Sequence, residues 1–176
     1  MKEGKSTMKL TKPFTRTPLY WLILSLLCSL FILPSSASAD DDVAKVVYHA
    51  DFSDPRRFSA MLTSINNMVT HYQNELVEYD VRIVFVAHGI RFVTGDKLEG
   101  TPFAEDAELA ERRDNLRGRL ESLQSVQEVK LELCDITRSQ INLDAEKLYE
   151  GVDSVPSGVV QIAELQNEGF AYIKIE

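Results

Sequence analysis

The chain has 176 residues, with 19 Lys and Arg against 27 Asp and Glu, for a net charge of −8. An acidic surface repels phosphate backbones and anionic lipid, which argues against nucleic acid as a partner. Only two residues are cysteines, Cys28 and Cys134, so a disulfide-built scaffold is excluded.

The first 18 residues carry Lys2, Lys5, Lys9, Lys12 and Arg16 against one acid, Glu3. The run Leu19–Leu33 is apolar apart from two serines, and Pro34 and the small-residue stretch "SSASA" follow it. A basic region, an apolar region and an Ala37-Ser38-Ala39 site in that order form a secretory signal peptide over residues 1–39, cleaved before Asp40. Fifteen residues are also short of the roughly 20 that a spanning helix needs. Met8 is a second candidate start. Cys28 reads as a small apolar residue within the leader.

Cleavage leaves residues 40–176, the size of a single domain. Removing five basic residues and one acid leaves 14 Lys and Arg against 26 Asp and Glu, a net charge of −12. The sequence then predicts export to the periplasm, with no stable membrane association after cleavage. Cys134 is the one remaining cysteine, without a partner in its own chain.

The run Ala44–Ala50 is β-rich and predicts the first strand. Asp54 is a good N-cap and Pro55 suits the first helical position. Phe58, Met61, Leu62, Ile65, Met68, Val69, Tyr72 and Leu76 recur at spacings of three and four, the inner face of a helix. Val81–Ala87 predicts a second strand, apolar enough to be buried on both faces. The stretch "GIRFVTGDKLEGTPF" reads as loop. Glu105–Gln124 predicts a charged helix with Leu109, Leu116, Leu120 and Leu123 inward and its arginines facing water or a neighbouring subunit. "EVKLELCDI" is a third strand ending near Cys134, and "TRSQINLDAEKLYEG" a short helix and loop. "VPSGVVQIAELQNEG" predicts a helix with Val159, Val160, Ile162, Ala163 and Leu165 inward and Gly169 as its stop. "FAYIKIE" closes as a strand.

Strands alternating with helices predict an α/β fold, a three-layer α/β/α sandwich with a mostly parallel sheet. Ligands and chemistry in such sheets collect beyond the carboxyl ends of the strands. His49, His88 and Cys134 each end one of the first three strands. A thiol that precedes a helix lies near unpaired N–H groups and the positive end of the helix dipole, which favour the thiolate. A buried structural cysteine is the other reading, and a His49–His88–Cys134 metal site a third. Asp135 beside the sulfur disfavours the thiolate. No cofactor motif is present: Gly89 and Gly95 lack a phosphate-loop arrangement, and Ser157 is not in a nucleophile elbow.

The segments "KVVYHADF", "VRIVFVAHGIRF", "LELCDIT" and "VPSGVVQIAELQNEGFAYIKI" stand in this order from about Lys45 to Ile175. Together they resemble the DsrE/DsrF-like sulfur-relay family, in its exported branch. The resemblance implies a homo-oligomer, trimer or hexamer, with Cys134 of the C-x-x-T segment carrying sulfane sulfur as a persulfide. It makes the chain a sulfur transferase or a stoichiometric carrier that exchanges sulfur with a donor or acceptor protein. His88 and Gly89 match the family's turn after the second strand, and His49, Asp135 and Thr137 complete the candidate pocket. Where many relatives have Gly-Asn after the cysteine, this chain has Asp135-Ile136, which adds bulk and charge. The alternative function is a non-catalytic oligomeric module that binds a small ligand or a protein, with Cys134 buried.

Overall fold

The computed structural model describes residues 43–176. The leader expected over residues 1–39 lies outside the described residues. Five strands form one sheet: β1 (Ala44–Ala50), β2 (Tyr79–Phe85), β3 (Lys130–Cys134), β4 (Val152–Val155) and β5 (Ala171–Ile173). Their order is β4-β3-β2-β1-β5 and every pairing is parallel. The strand ends His49–Ala50, Phe85 and Cys134 therefore share one edge.

Helix α1 (Pro55–Asn74) starts where Asp54 accepts the N–H groups of Arg56 and Arg57, at 2.7 and 3.3 Å. Helix α2 (Ala107–Gln127) is capped by Asp106, which accepts Leu109 N–H at 2.8 Å. Both pack on the sheet face that presents Val46, Tyr48, Ala50, Ile83, Phe85, Leu131 and Leu133. Helix α3 (Asp135–Gln140) follows β3 without a gap, and α4 (Gly158–Asn167) covers the opposite face against Val47, Val84 and Phe170. Side chains alternate across a strand, so Val47 and Val84 line the α4 face while their neighbours line the other. The fold is the three-layer α/β/α sandwich expected.

Several local expectations are corrected. The apolar stripe of α1 stops before Leu76, which adopts a left-handed φ of 56° and is 92% exposed. The second strand covers Tyr79–Phe85 because Ala87 turns left-handed, with φ 49°, and starts a 3-10 segment over Ala87–Phe92. The stretch read as loop thus supplies Ile90, Phe92 and Val93 to the core.

Two arginines expected to face water or a second subunit are used inside the chain. Arg113 bonds Glu105 at 2.6 Å and the carbonyls of Arg91 and Thr94. Arg119 bonds Ser59 and Thr63. Strand β4 falls where the sequence suggested no element for Val152–Ser154 and gave Val155 to the last helix segment; it is a short edge strand with Asp153 and Ser154 exposed, so it lacks an apolar signal. In α4 only Ile162 and Leu165 point inward with Gly158; Val159, Val160 and Ala163 are exposed.

Candidate functional site

Leu131 and Leu133 belong to the α1/α2 core, so alternation places Glu132 and Cys134 on the α4 face. Cys134 ends β3 and is the N-cap residue of α3, and it is 4% exposed. The first residue of α4 comes against it from the side. A Cβ on Gly158 would lie 3.0 Å from Cys134 Cβ and 2.6 Å from Val86 Cγ2. Only glycine lets the start of α4 approach this closely.

As a neutral thiol, Cys134 makes no side-chain capping bond to α3. Burial pushes its pKa up, since it disfavours charge. The N–H groups of Gly158, Thr137 and Ile136 and the Thr137 hydroxyl act the other way, and they win: the thiol stands below its ordinary value. A thiolate here is held by the first N–H groups of two helices, where both helix dipoles are positive. Thr137 is 5% exposed, and its Oγ1 accepts the N–H of Ala87 at 3.0 Å.

Asp135 does not leave a free negative charge beside the sulfur. Its carboxylate accepts Arg138 Nε at 2.8 Å and Ser139 Oγ at 3.2 Å, with Arg138 Nη2 at 2.7 Å. Arg138 holds the carboxyl below the usual range.

The two histidines share the edge, and His49 stands away from the sulfur. His49 pairs in register with Val84, and Val84 with Glu132. It is therefore two strands, or about 10 Å, across the sheet from β3 and two positions short of Cys134. Its Nδ1 is 2.9 Å from Tyr172 Oη, and its Nε2 is 3.9 Å from Asp51, whose carboxylate also accepts Lys174 Nζ at 2.8 Å. Burial lowers the His49 pKa, Asp51 opposes that shift, and Lys174 adds to it.

His88 sits in the 3-10 turn beyond β2, its ring edge-on to Phe103 at 5.2 Å. Its Nδ1 is buried without a hydrogen-bond partner. Gly89 is a packing requirement, because a Cβ there would fall 2.1 Å from the Ala50 carbonyl oxygen. The structure thus brings Thr137 and Asp135 to Cys134, sets His49 two strands away, and places His88 in the turn beyond β2 whose Ala87 N–H reaches Thr137. Among the described residues no three His, Cys, Asp or Glu side chains could hold a metal ion, which removes the His49–His88–Cys134 metal reading.

Two participants were missed. Nothing local in the sequence says that the neighbour of Gly158 is Cys134. Ala87 lies in the segment "VRIVFVAHGIRF" that carries the family resemblance, but nothing in it marks a left-handed residue. Larger clefts do not mark the site: one of about 670 Å³, among Gly95, Lys97, Arg117 and Tyr149, does not include Cys134 in its wall.

An all-parallel α/β/α domain with a lone thiol at the carboxyl edge, set at two helix starts, defines the class. The chain belongs to the DsrE/DsrF-like family, whose model matches residues 41–175. Among solved structures it is similar to MTH1491 of Methanobacterium thermoautotrophicum, a protein of unknown function. That match has 26% identity and a TM-score of 0.56, over 74% of this chain and 98% of that one. It is also similar to the ychN protein of E. coli, with 18% identity and a TM-score of 0.49, over 75% and 99%. No curated protein matches the chain. Family membership suggests a function of the sulfur-relay type.

Proposed function

We propose that this protein is a periplasmic sulfur carrier in which Cys134 holds sulfane sulfur as a persulfide, once a signal peptide over residues 1–39 has been removed. The Cys134 thiolate attacks the outer sulfur of a donor persulfide, R–S–SH. The donor S–S bond breaks, its electron pair leaves on R–S⁻, and the transferred sulfur keeps its proton as Cys134–S–SH. No net oxidation occurs, and attack by an acceptor thiolate repeats the exchange in the outward direction. The observation that carries this reading is the placement of Cys134 at the N-cap of α3 and against the first residue of α4. His49 and His88 support the surrounding edge rather than the reacting sulfur.

The proposal includes assembly as a trimer or hexamer. Ile136, Val159 and Val160, on the first turns of the two helices that meet at Cys134, are 52%, 61% and 50% exposed. Three branched apolar side chains on adjacent helix starts suit a covered surface. Sedimentation checks this, and a monomer at micromolar concentration would count against it.

Incubation with a low-molecular-weight persulfide, followed by alkylation and mass analysis, tests the carrier reading. The native protein gains one sulfur on Cys134, and Cys134→Ser gains none. The 4% exposure of Cys134 favours a second reading, an oligomeric binding module with an inert thiol. No sulfur on the folded protein, with normal uptake by the unfolded chain, would establish that reading instead.

A further inference from the structure

The turn after β2 reaches the sulfur through a route that the thiolate role alone does not explain. We propose that Ala87 is a positioning residue: its N–H pins the Thr137 hydroxyl so that the hydroxyl hydrogen is directed at Cys134. This rests on the thiolate role proposed above and names what sets its reactivity.

Thr137 is the third residue of α3, and Cys134 is the N-cap. A side chain at the third helical position lies close to the cap residue, which in a capping box lets it reach the cap's backbone N–H. A hydroxyl has one donor hydrogen and two acceptor lone pairs. The Ala87 N–H, at 3.0 Å, occupies an acceptor site on Thr137 Oγ1 and leaves the hydrogen free. Thr137 is 5% exposed, so bulk water does not compete for that hydrogen. A threonine in a helix otherwise tends to donate to a carbonyl of the preceding turn. Holding Oγ1 from the Ala87 side works against that alternative and leaves the hydrogen for the sulfur.

The backbone geometry needed for this is unusual. Ala87 has a φ of 49°, in the left-handed region that alanine rarely visits. Such strain persists where the surroundings over-determine it, and here they do. Val86 N–H bonds the Ala50 carbonyl at 2.9 Å, and Gly89 N–H bonds the Val86 carbonyl at 2.9 Å. The missing Cβ of Gly89 lets the turn press against that same Ala50 carbonyl. The Ala87-His88-Gly89 segment is thus a backbone device fastened to the end of β1, and it presents one N–H to Thr137.

The test compares the pH profile of Cys134 alkylation in wild type, Thr137→Val, Thr137→Ala and Thr137→Ser, alongside the amide signal of Ala87 in nitrogen-15 NMR spectra. Loss of the hydroxyl raises the apparent thiol pKa by about one unit, roughly tenfold less thiolate at a given lower pH. Thr137→Ser restores the profile. In wild type the Ala87 amide signal titrates with the thiol, and in Thr137→Val and Thr137→Ala it does not. Thr137→Ala serves if the valine methyl disturbs folding. Unchanged profiles in both variants, or an Ala87 amide indifferent to the thiol in wild type, would overturn the proposal. A wild-type thiol that titrates at its ordinary value while the variants titrate higher still would uphold the positioning role and sink the carrier reading.

Discussion

Gly158 and Cys134 stand so close that a Cβ on the glycine would come within 3.0 Å of the Cβ of the cysteine. That contact brings the first residue of α4 against a cysteine that is already the N-cap residue of α3. Gly158→Ala therefore does two things. The new methyl also meets Val86 Cγ2 at 2.6 Å and Val84 Cγ1 at 3.3 Å, overpacking of a kind that costs about 1–3 kcal/mol. Pushing α4 outward also takes its N–H from the sulfur and raises the thiol pKa. Thermal denaturation reads the first effect and alkylation against pH the second.

Gly118 supplies the opposite case. It lies in the middle of α2, exposed, and a Cβ built there meets nothing within 4 Å. Gly118→Ala should stabilise the protein by about 0.5–1 kcal/mol, through the backbone entropy that glycine loses in a helix. Denaturant titration with an unchanged slope checks it.

Glu132 is buried on the α4 face and accepts Arg82 Nη1 at 3.0 Å and Gln161 Nε2 at 2.9 Å. Arg82 also forks onto Asp80 at 3.0 and 2.8 Å and stacks over the Phe170 ring at 4.9 Å. Arg82→Leu leaves the Glu132 charge uncompensated and should cost about 3–5 kcal/mol. Glu132→Gln keeps a polar partner for Gln161 and should cost less. Equal losses for the two variants by chemical denaturation would contradict this account of the network.

His49 gives a pH dependence with a definite sign. Its folded pKa is lowered, chiefly by burial, with Asp51 opposing, so the unfolded chain binds the proton more tightly. The stability linked to this group is then fully present above the unfolded value of about 6.5 and is lost as pH falls through the folded pKa. His49→Gln should flatten the stability profile in that window. Melting temperatures of the two proteins that fall in parallel from pH 7 downward would show that His49 is not the group responsible.

The fold was legible where local chemistry and pattern agreed. Asp54-Pro55 marked the start of α1, and Leu109, Leu116, Leu120 and Leu123 marked the inner edge of α2. Strand β4 was hidden because a four-residue edge strand with Asp153 and Ser154 exposed has no apolar alternation to read. Val159 and Val160 misled because an apolar side chain says nothing about which way a short helix faces; both are exposed on the first turn of α4.

Cys134 itself was legible as a strand-end thiol. The histidines were not separable from it in sequence, since strand ends share an edge whatever the strand order. With β2 between β1 and β3, His49 is two strands away, and His88 lies past the end of its strand. Asp135 stood as an objection to a thiolate that Arg138, three residues on, removes.

The most direct test of the sulfur site is the alkylation rate of Cys134 against pH in the folded protein, with the unfolded chain as reference. The account predicts reaction that titrates below the ordinary thiol value of about 8.5, because the N–H groups of Gly158, Thr137 and Ile136 and the Thr137 hydroxyl outweigh burial. A rate far below that of the unfolded chain at every pH would contradict it, and would make Cys134 a structural residue of the core.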